Sequence, residues 1–319
     1  MTVLYTDSPA GDDERRAQLY GGALHVFSAS PGTRALIEVA RTMCEEAFAP
    51  HHPTEAQHHM SVEAFNDVLK TLKPAFIHDP RCKDAIRQIL LERGCDAERT
   101  FFDVPRLRTA TSDDYLTSGL AYAFKPHRDT WYSTPRCQLN WWLPVYEVEP
   151  GNCMAFHTDY WNEPLANSSH EFDYQDWNEG GRKAAHNQGT KDTRRQSEAT
   201  EEVRLDPQLR IVPEPGGMIV FSAAHLHSTV PNDTGRTRIS IDFRTVHMDE
   251  LEANGGAPNP DSACSGTTIG DYRRTSDLAP VPEEMQAAYR RLETSMAPIA
   301  PSQTDLSDRN MAAEREPLA

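Results

Sequence analysis

The chain has 319 residues, with 32 Lys and Arg side chains against 48 Asp and Glu, so its formal net charge at pH 7 is −16. A chain of this length can bury a core without disulfides, and its acidity argues against a nucleic-acid partner, because such proteins usually present a basic surface. The six cysteines include no CxxC pair, and the sequence has neither a signal-peptide pattern nor a run of about 18 apolar residues. These features predict a cytoplasmic protein without membrane association.

The first third of the chain is predicted to be mostly helical. Residues 1–20 are polar and are expected to form a poorly ordered tail, and residues 20–27 are predicted to be a short strand. Apolar residues at helical spacing then predict three helices, which begin near Pro31, Ser61 and Pro80.

From about residue 100 the pattern changes to short segments rich in aromatic and β-branched residues, separated by turn residues. Seven of them are predicted strands: 100–110, 119–127, 138–146, 152–161, 209–213, 217–223 and 238–247. Several short strands with turn signals favour a β-sandwich or barrel. We therefore predict an α+β fold with a mainly β core and with the N-terminal helices packed on one of its sheets.

We expect a single domain with three parts. Residues 21–99 form the helical N-terminal part, residues 100–250 the β core, and residues 251–319 a C-terminal loop, helix and tail, with the helix near 282–295. Within the core, residues 162–206 are polar and nearly free of strand pattern, which is typical of a functional lid or a disordered loop.

An HxD motif, His127 and Asp129, is the sharpest chemical feature. In an extended segment residues two apart point the same way, so the imidazole and the carboxylate should lie side by side. About one hundred residues later, His225 and His227 offer two candidates for a second imidazole. Two histidines and one carboxylate bind Fe(II) on one face and leave other coordination positions open. Residues this far apart must meet in one core, which also favours a single domain.

The strand after His227 contains a candidate carboxylate clamp. Arg238 lies 11 residues after His227, and Ser240 shares its face of the strand. An Arg side chain can hold a carboxylate through two parallel hydrogen bonds. Arg236 is an alternative anchor, and Arg238 can instead pair with Asp242. A metal site plus a carboxylate clamp is what an iron enzyme that uses 2-oxoglutarate requires.

Residues 119–161 and 209–247 resemble the phytanoyl-CoA dioxygenase (PhyH-like) family of Fe(II)/2-oxoglutarate-dependent oxygenases. The resemblance rests on the segments HRDTWYSTP, NWWLPV and PGNC, and on HSTVPN followed by Arg238. It implies a double-stranded β-helix, or jelly-roll, fold and the use of Fe(II), 2-oxoglutarate and O2 to oxidise an unactivated C–H bond. It also favours His227 over His225 as a ligand. FHTDYW replaces the family's PGSH turn, and the 162–206 segment has no counterpart, so the substrate pocket can differ at both places.

The resemblance also bears on the reaction. Related halogenases carry a small residue where this chain has Asp129, so the carboxylate favours hydroxylation over halogenation. Desaturation, epimerisation and cyclisation share the same cofactor chemistry and stay open. A jelly-roll protein that binds a metal or ligand without catalysis is the alternative from another class.

Two further groups of residues are candidates for the site. Inward-facing polar or aromatic residues of the 138–146 strand are expected to line the cofactor pocket: Gln138, Asn140 and Trp142. Residues beside the HxD motif are candidates for substrate contact: Arg128, Trp131 and Tyr132. The basic residues near the motif favour a polar small molecule as substrate, such as an amino acid, a sugar acid or a natural-product intermediate. We expect a monomer or a homodimer.

Overall fold

The N-terminal helices form where the sequence places caps and prolines. In the computed structural model, which describes residues 2–181, 184 and 192–295, the helices of this part are α1 (Asp12–Tyr20), α2 (Pro31–Phe48), α3 (Val62–His78) and α4 (Pro80–Glu92). The side chains of Ser30, Ser61 and Asp79 accept hydrogen bonds from backbone N–H groups at the starts of α2, α3 and α4. The three predicted helices are confirmed.

The described residues contain eleven strands in two sheets. They are β1 (Leu4–Thr6), β2 (Leu24–Phe27), β3 (Thr100–Phe102), β4 (Arg106–Ala110), β5 (Leu139–Pro144), β6 (Met154–Phe156), β7 (Leu209–Ile211), β8 (Met218–Ser222), β9 (His227–Thr229), β10 (Arg238–His247) and β11 (Arg273–Arg274). The large sheet has the order β1-β2-β8-β5-β10-β3-β11, and β4 also pairs with β10. The small sheet has the order β7-β6-β9.

The two sheets face each other, and the helices cover the outer face of the large sheet, which confirms the predicted jelly-roll core with helices on one side. On β5 and β10 the side chains alternate between the two faces. Trp141, Ile241 and Phe243 pack outward into a core shared with the helices. Trp142 packs inward in an apolar layer against residues of the small sheet such as Phe156.

The expected polar tail at residues 1–20 is wrong from residue 4 onward. Strand β1 pairs in parallel with β2, and α1 packs with Leu19 fully buried. Arg16 is also buried, and its guanidinium pairs with Glu250 at 2.9 Å. Both arginines of the segment are buried and paired with carboxylates, which composition alone does not distinguish from the charges of a solvated tail.

The strand predicted at 119–127 is also wrong. Residues Gly119–Ala121 form a short 3-10 turn, and only His127 makes a β-bridge, with His227. The Asp192 carboxylate accepts the Gly119 N–H at 2.9 Å, so this stretch binds the 162–206 segment instead of a neighbouring strand. The predicted 100–110 strand breaks into β3 and β4 before Pro105, which has no N–H for a ladder.

The 162–206 segment is held against the C-terminal loop where it is described. It contains a single-turn helix, α5 (Tyr174–Asp176), and the amide of Asn167 donates to the backbone carbonyl of Asp261 at 2.8 Å. Part of the predicted lid, residues 182–183 and 185–191, lies outside the described residues.

Two helices follow the jelly roll, α6 (Met248–Ala253) and the predicted C-terminal helix, α7 (Glu283–Ser295). The predicted tail, from residue 296 on, lies outside the described residues. No described helix is both long and apolar enough to cross a membrane.

The helix layer gives a direct test of the packing. Leu69 on α3 is fully buried in the core between helices and sheet, whereas Leu91 on α4 is 58% exposed. We expect Leu69→Ala to lower the free energy of unfolding by about 2–5 kcal/mol, because it leaves a cavity. Leu91→Ala, the matched control, should change it by less than about 0.5 kcal/mol. Urea unfolding followed by circular dichroism checks both, and equal losses would contradict the assigned packing.

Candidate metal centre

His127, Asp129 and His227 converge on one point inside the jelly roll. One ligand atom from each lies within 4.8 Å of the other two. The Oδ1 atom of Asp129 is 3.4 Å from Nε2 of His127 and 3.9 Å from Nε2 of His227. His227 begins β9, and Asp129 begins a 3-10 turn over Asp129–Tyr132. The structure brings together the two imidazoles and the carboxylate that the sequence predicted.

Backbone carbonyls orient both imidazoles. The Nδ1 atom of His127 lies 2.8 Å from the carbonyl oxygen of Lys125, and Nδ1 of His227 lies 2.9 Å from that of His225. Because a carbonyl only accepts, each Nδ1 carries a proton and donates it, which leaves Nε2 as the free lone pair. Burial first, and then the neighbouring His127, lower the pKa of His227 to about 3. Its imidazole is therefore neutral at pH 7 and suited to bind a metal.

Asp129 is ionised and fixed by neighbours that the sequence assigned to another role. Burial opposes its ionisation, but the neighbouring His127 and the charge of Arg244 hold the pKa of this carboxyl below its usual range. The side-chain amides of Gln138 and Asn140 donate to Oδ2 at 3.3 and 2.8 Å. They leave Oδ1 facing the two histidines, as a metal ligand requires.

Gln138 and Asn140 thus contact a metal ligand, although we expected them to line the cofactor pocket. The side chain of Gln138 is itself held by Tyr272, whose hydroxyl donates a hydrogen bond to Oε1 of Gln138 at 2.6 Å. Sequence reasoning missed Arg244 and Tyr272. Arg244 follows Arg238 by six residues on the same strand, so extending the alternation along β10 would have placed it on the inner face. Tyr272 follows a loop without any pattern, and no sequence signal points to it.

Arg238 and Ser240 form a buried pair with free hydrogen-bonding capacity. Nη1 of Arg238 donates to the carbonyls of Asn152 and Cys153 at 3.3 and 3.2 Å, and its guanidinium carbon lies 5.7 Å from the centre of the Trp142 ring. Nε of Arg238 and Oγ of Ser240 are buried and have no hydrogen-bond partner among the described residues. Burial lowers the pKa of Arg238 to about 10, so it is cationic at pH 7.

This pair fits the far carboxylate of 2-oxoglutarate, since a buried cation and a buried hydroxyl without partners are costly unless an anion joins them. The positions of the alternative residues argue against them as the clamp. Arg236 is exposed on the surface, and Asp242 pairs with Arg108 rather than with Arg238. His225 is also no ligand, because its Nε2 lies 3.2 Å from the carbonyl of Gly22 and its ring packs against Trp161.

The structure contradicts substrate contact by Arg128 and Trp131. Arg128 is fully buried and donates to Asp261 at 2.9 Å and to three backbone carbonyls. The indole N–H of Trp131 donates to the same carboxylate at 2.7 Å. Both side chains anchor the C-terminal loop, so their position next to the motif was misleading. Tyr132 does lie at the site, with its ring edge-on to His127 at 5.7 Å.

No protein-family model matches the chain, and no curated protein matches it either. Among solved structures, the chain is similar to EvdO2 from Micromonospora carbonacea var. aurantiaca, with 18% identity and a TM-score of 0.35. That match covers 55% of this chain and 62% of EvdO2. Another is the non-heme alpha ketoglutarate dependent epimerase SnoN from nogalamycin biosynthesis, with 14% identity, a TM-score of 0.36, and 73% and 80% of the two chains covered.

The hydrogen bond from Asn140 to Asp129 predicts a loss of metal affinity on mutation. Asn140→Ala should weaken binding of a divalent metal by about 10- to 100-fold, because Asp129 loses a partner that orients it. Competition between the protein and a chromophoric chelator for Co(II) measures this affinity. Asn178→Ala, at an exposed position, is the control. Unchanged affinity in Asn140→Ala would show that the hydrogen bond does not position the ligand.

Arg128 should matter for folding and not for substrate. Arg128→Met leaves the buried Asp261 carboxylate without a cation to balance its charge, so we expect the free energy of unfolding to fall by about 3–5 kcal/mol. The double variant Arg128→Met/Asp261→Asn removes both charges and should recover part of that loss. Denaturant unfolding of the three proteins measures the effect. A single variant as stable as wild type would restore Arg128 as a candidate for substrate contact.

Proposed function

We propose that this chain is an Fe(II)- and 2-oxoglutarate-dependent oxygenase related to the phytanoyl-CoA dioxygenase family. One observation carries the proposal. The triad of His127, Asp129 and His227 shares the interior of the jelly roll with Arg238 and Ser240, whose buried Nε and Oγ atoms have no hydrogen-bond partner among the described residues. A plain structural metal site has no need of a second, cationic pocket, whereas a cosubstrate with a carboxylate at each end uses both.

Two groups of residues would bind the metal and the cosubstrate. His127, Asp129 and His227 would hold the metal on one face, and Arg238 with Ser240 would hold the far carboxylate of 2-oxoglutarate. When bound, Fe(II) and 2-oxoglutarate supply oxidation of an unactivated C–H bond by O2, with release of succinate and CO2. Apolar groups exclude water around the ligands, since the rings of Phe156 and Phe221 lie 6.3 and 5.0 Å from that of His227.

We propose hydroxylation of a polar small molecule as the reaction. An ionised carboxylate at Asp129 supports it over halogenation, because the carboxylate occupies the position that a halide would need. Tyr132 and Phe124 flank His127, with ring centres 5.7 and 4.9 Å away, and provide an aromatic wall for a substrate. The mass of the product separates these reactions. Hydroxylation adds one oxygen atom, whereas desaturation or cyclisation removes two hydrogen atoms. Epimerisation leaves the mass unchanged.

We further propose that the protein works in the cytoplasm on a small molecule, as a monomer or homodimer, without a nucleic-acid or membrane partner. All six cysteines are free thiols, and five of them are buried, which supports a reducing compartment. The formal net charge of −16 supports the absence of a nucleic-acid partner.

The proposal predicts a spectroscopic signature that depends on Asp129 and Arg238. Anaerobic addition of Fe(II) and 2-oxoglutarate to wild type should give a weak visible charge-transfer band. Asp129→Ala should abolish the band, and Arg238→Gln should raise the 2-oxoglutarate concentration needed for half of it by about 10- to 100-fold, through loss of a charge-assisted contact.

Arg236→Gln is the matched control, because it removes an exposed Arg two residues away and should leave the titration unchanged. Succinate formation with a panel of small-molecule substrates is the second readout. A wild-type protein that gives no band and never forms succinate would instead be a binding protein without catalysis.

A further inference from the structure

A cluster of charged side chains around Asp242 is not explained by the cosubstrate. Side chains of β4, β10 and α3 place four cations within electrostatic range of Asp242: Lys73, Arg106, Arg108 and Arg244. Among the described residues, only the carboxylates of Asp103 and Asp242 form ion pairs with these four cations. Arg238 and Asp129 are set aside, because they serve 2-oxoglutarate and the metal. The cluster therefore has two more positive than negative side chains when all are charged.

The excess of positive charge perturbs the members of the cluster. Burial, and then the charge of Arg108, lower the pKa of Lys73 to about 7. Arg108 also helps to lower the pKa of Arg238, after burial and against the nearby Cys153. Cations that disfavour one another in a partly buried site are stabilised when an anion binds between them.

Arg108 is the member of this cluster best placed to meet a ligand. Its side chain is 32% exposed, against 17% for Arg106 and 18% for Arg244. Its Nε and Nη2 donate to Asp242 at 2.5 and 3.2 Å, and its Nη1 has no hydrogen-bond partner among the described residues. The Nη1 atom of Arg106, in contrast, already donates to two acceptors, the carboxylate of Asp103 and the carbonyl of Val104.

A short path joins Arg108 to the metal ligands. Its guanidinium carbon lies 5.6 Å from the centre of the Phe124 ring, and that ring stacks on His127 at 4.9 Å. An anion bound at Arg108 would therefore place the rest of a small molecule along Phe124 and toward the metal centre. This is the arrangement that a substrate-orienting contact needs.

We propose that Arg108 binds an anionic oxygen group of the substrate, a carboxylate or a phosphate, and so orients the molecule at the metal centre. The inference rests on the proposed function, because it assigns the substrate class of that same site. Asp242 holds the guanidinium in place and competes with the anion for it. The site on β4 lies beside the clamp, because Arg108 is the register partner of Ser240 on β10, and Arg238 is placed for the cosubstrate.

Anion binding is tested by calorimetric titration of acetate and, separately, of inorganic phosphate. The titrations use the Arg238→Gln background, so that the cosubstrate clamp cannot bind the probe and the result does not depend on whether the chain uses 2-oxoglutarate. Saturable binding of either probe is expected, and the tighter probe indicates whether the natural group is a carboxylate or a phosphate. Absence of binding by both would overturn the inference.

Two substitutions in that background locate the site. Arg108→Gln should weaken binding of the preferred probe at least about tenfold, because a charge-assisted pair is lost. Asp242→Asn should strengthen it, because it frees the guanidinium from its competitor. Arg195→Gln, at a side chain that is 81% exposed, should change nothing.

A merely structural Arg108–Asp242 pair gives a different pattern. Both variants would then lower the stability of the protein. They would not shift the affinity for the anion in opposite directions. The double variant Arg108→Gln/Asp242→Asn leaves no unpaired charge from this pair, so it controls for a folding defect. It should bind the probe as weakly as Arg108→Gln alone. If it binds like the parent protein, the inference is wrong. The test of the proposed function, the band with Fe(II) and 2-oxoglutarate, stands apart from all of these outcomes.

Discussion

Two backbone hydrogen bonds between His127 and His227 are the constraint on which the metal centre depends. The N–H of each residue donates to the carbonyl of the other at 3.0 Å. They bring together parts of the chain that are one hundred residues apart, and closing a loop of that length costs about 4 kcal/mol of entropy by the usual length dependence. Two hydrogen bonds cannot offset that cost alone. The site therefore depends on the stability of the surrounding sheets, which include the pairing of β5 with β10.

Strand β10 links that fold to the chemistry. Its outward residues Ile239, Ile241 and Phe243 pack under the helices, while four of its inward residues carry charge or a hydroxyl, namely Arg238, Ser240, Asp242 and Arg244. Each inward residue meets a different neighbour along the strand, from the clamp at one end to Asp129 near the other. Burying so many polar groups is unfavourable unless each is compensated. The helix layer, with its continuous apolar core, supplies stability on the opposite face of the same strand.

The sequence predicted local features and one long-range feature well, and it failed where partners lie far apart. Caps and prolines located the helices, since those signals act within one turn. The HxD spacing located the candidate metal centre, and the resemblance to the phytanoyl-CoA dioxygenase family favoured His227 over His225 as its third ligand. Arg128 was misread because its partner, Asp261, comes from a loop with no pattern, 133 residues later. The role of Asn140 likewise depends on a fold that must exist before the contact does.

The relation between net charge and recognition follows from where the charges lie. A formal net charge of −16 should slow the approach of an anion from solution, yet at physiological salt charges more than about 8 Å from a site are largely screened. Inside the jelly roll the balance is reversed, since cations outnumber carboxylates beside Arg108, and partial burial strengthens their effect. Recognition of an anionic group is then a short-range property of a few desolvated side chains. The acidic surface affects solubility and encounter, and β4 with β10 decide what is bound.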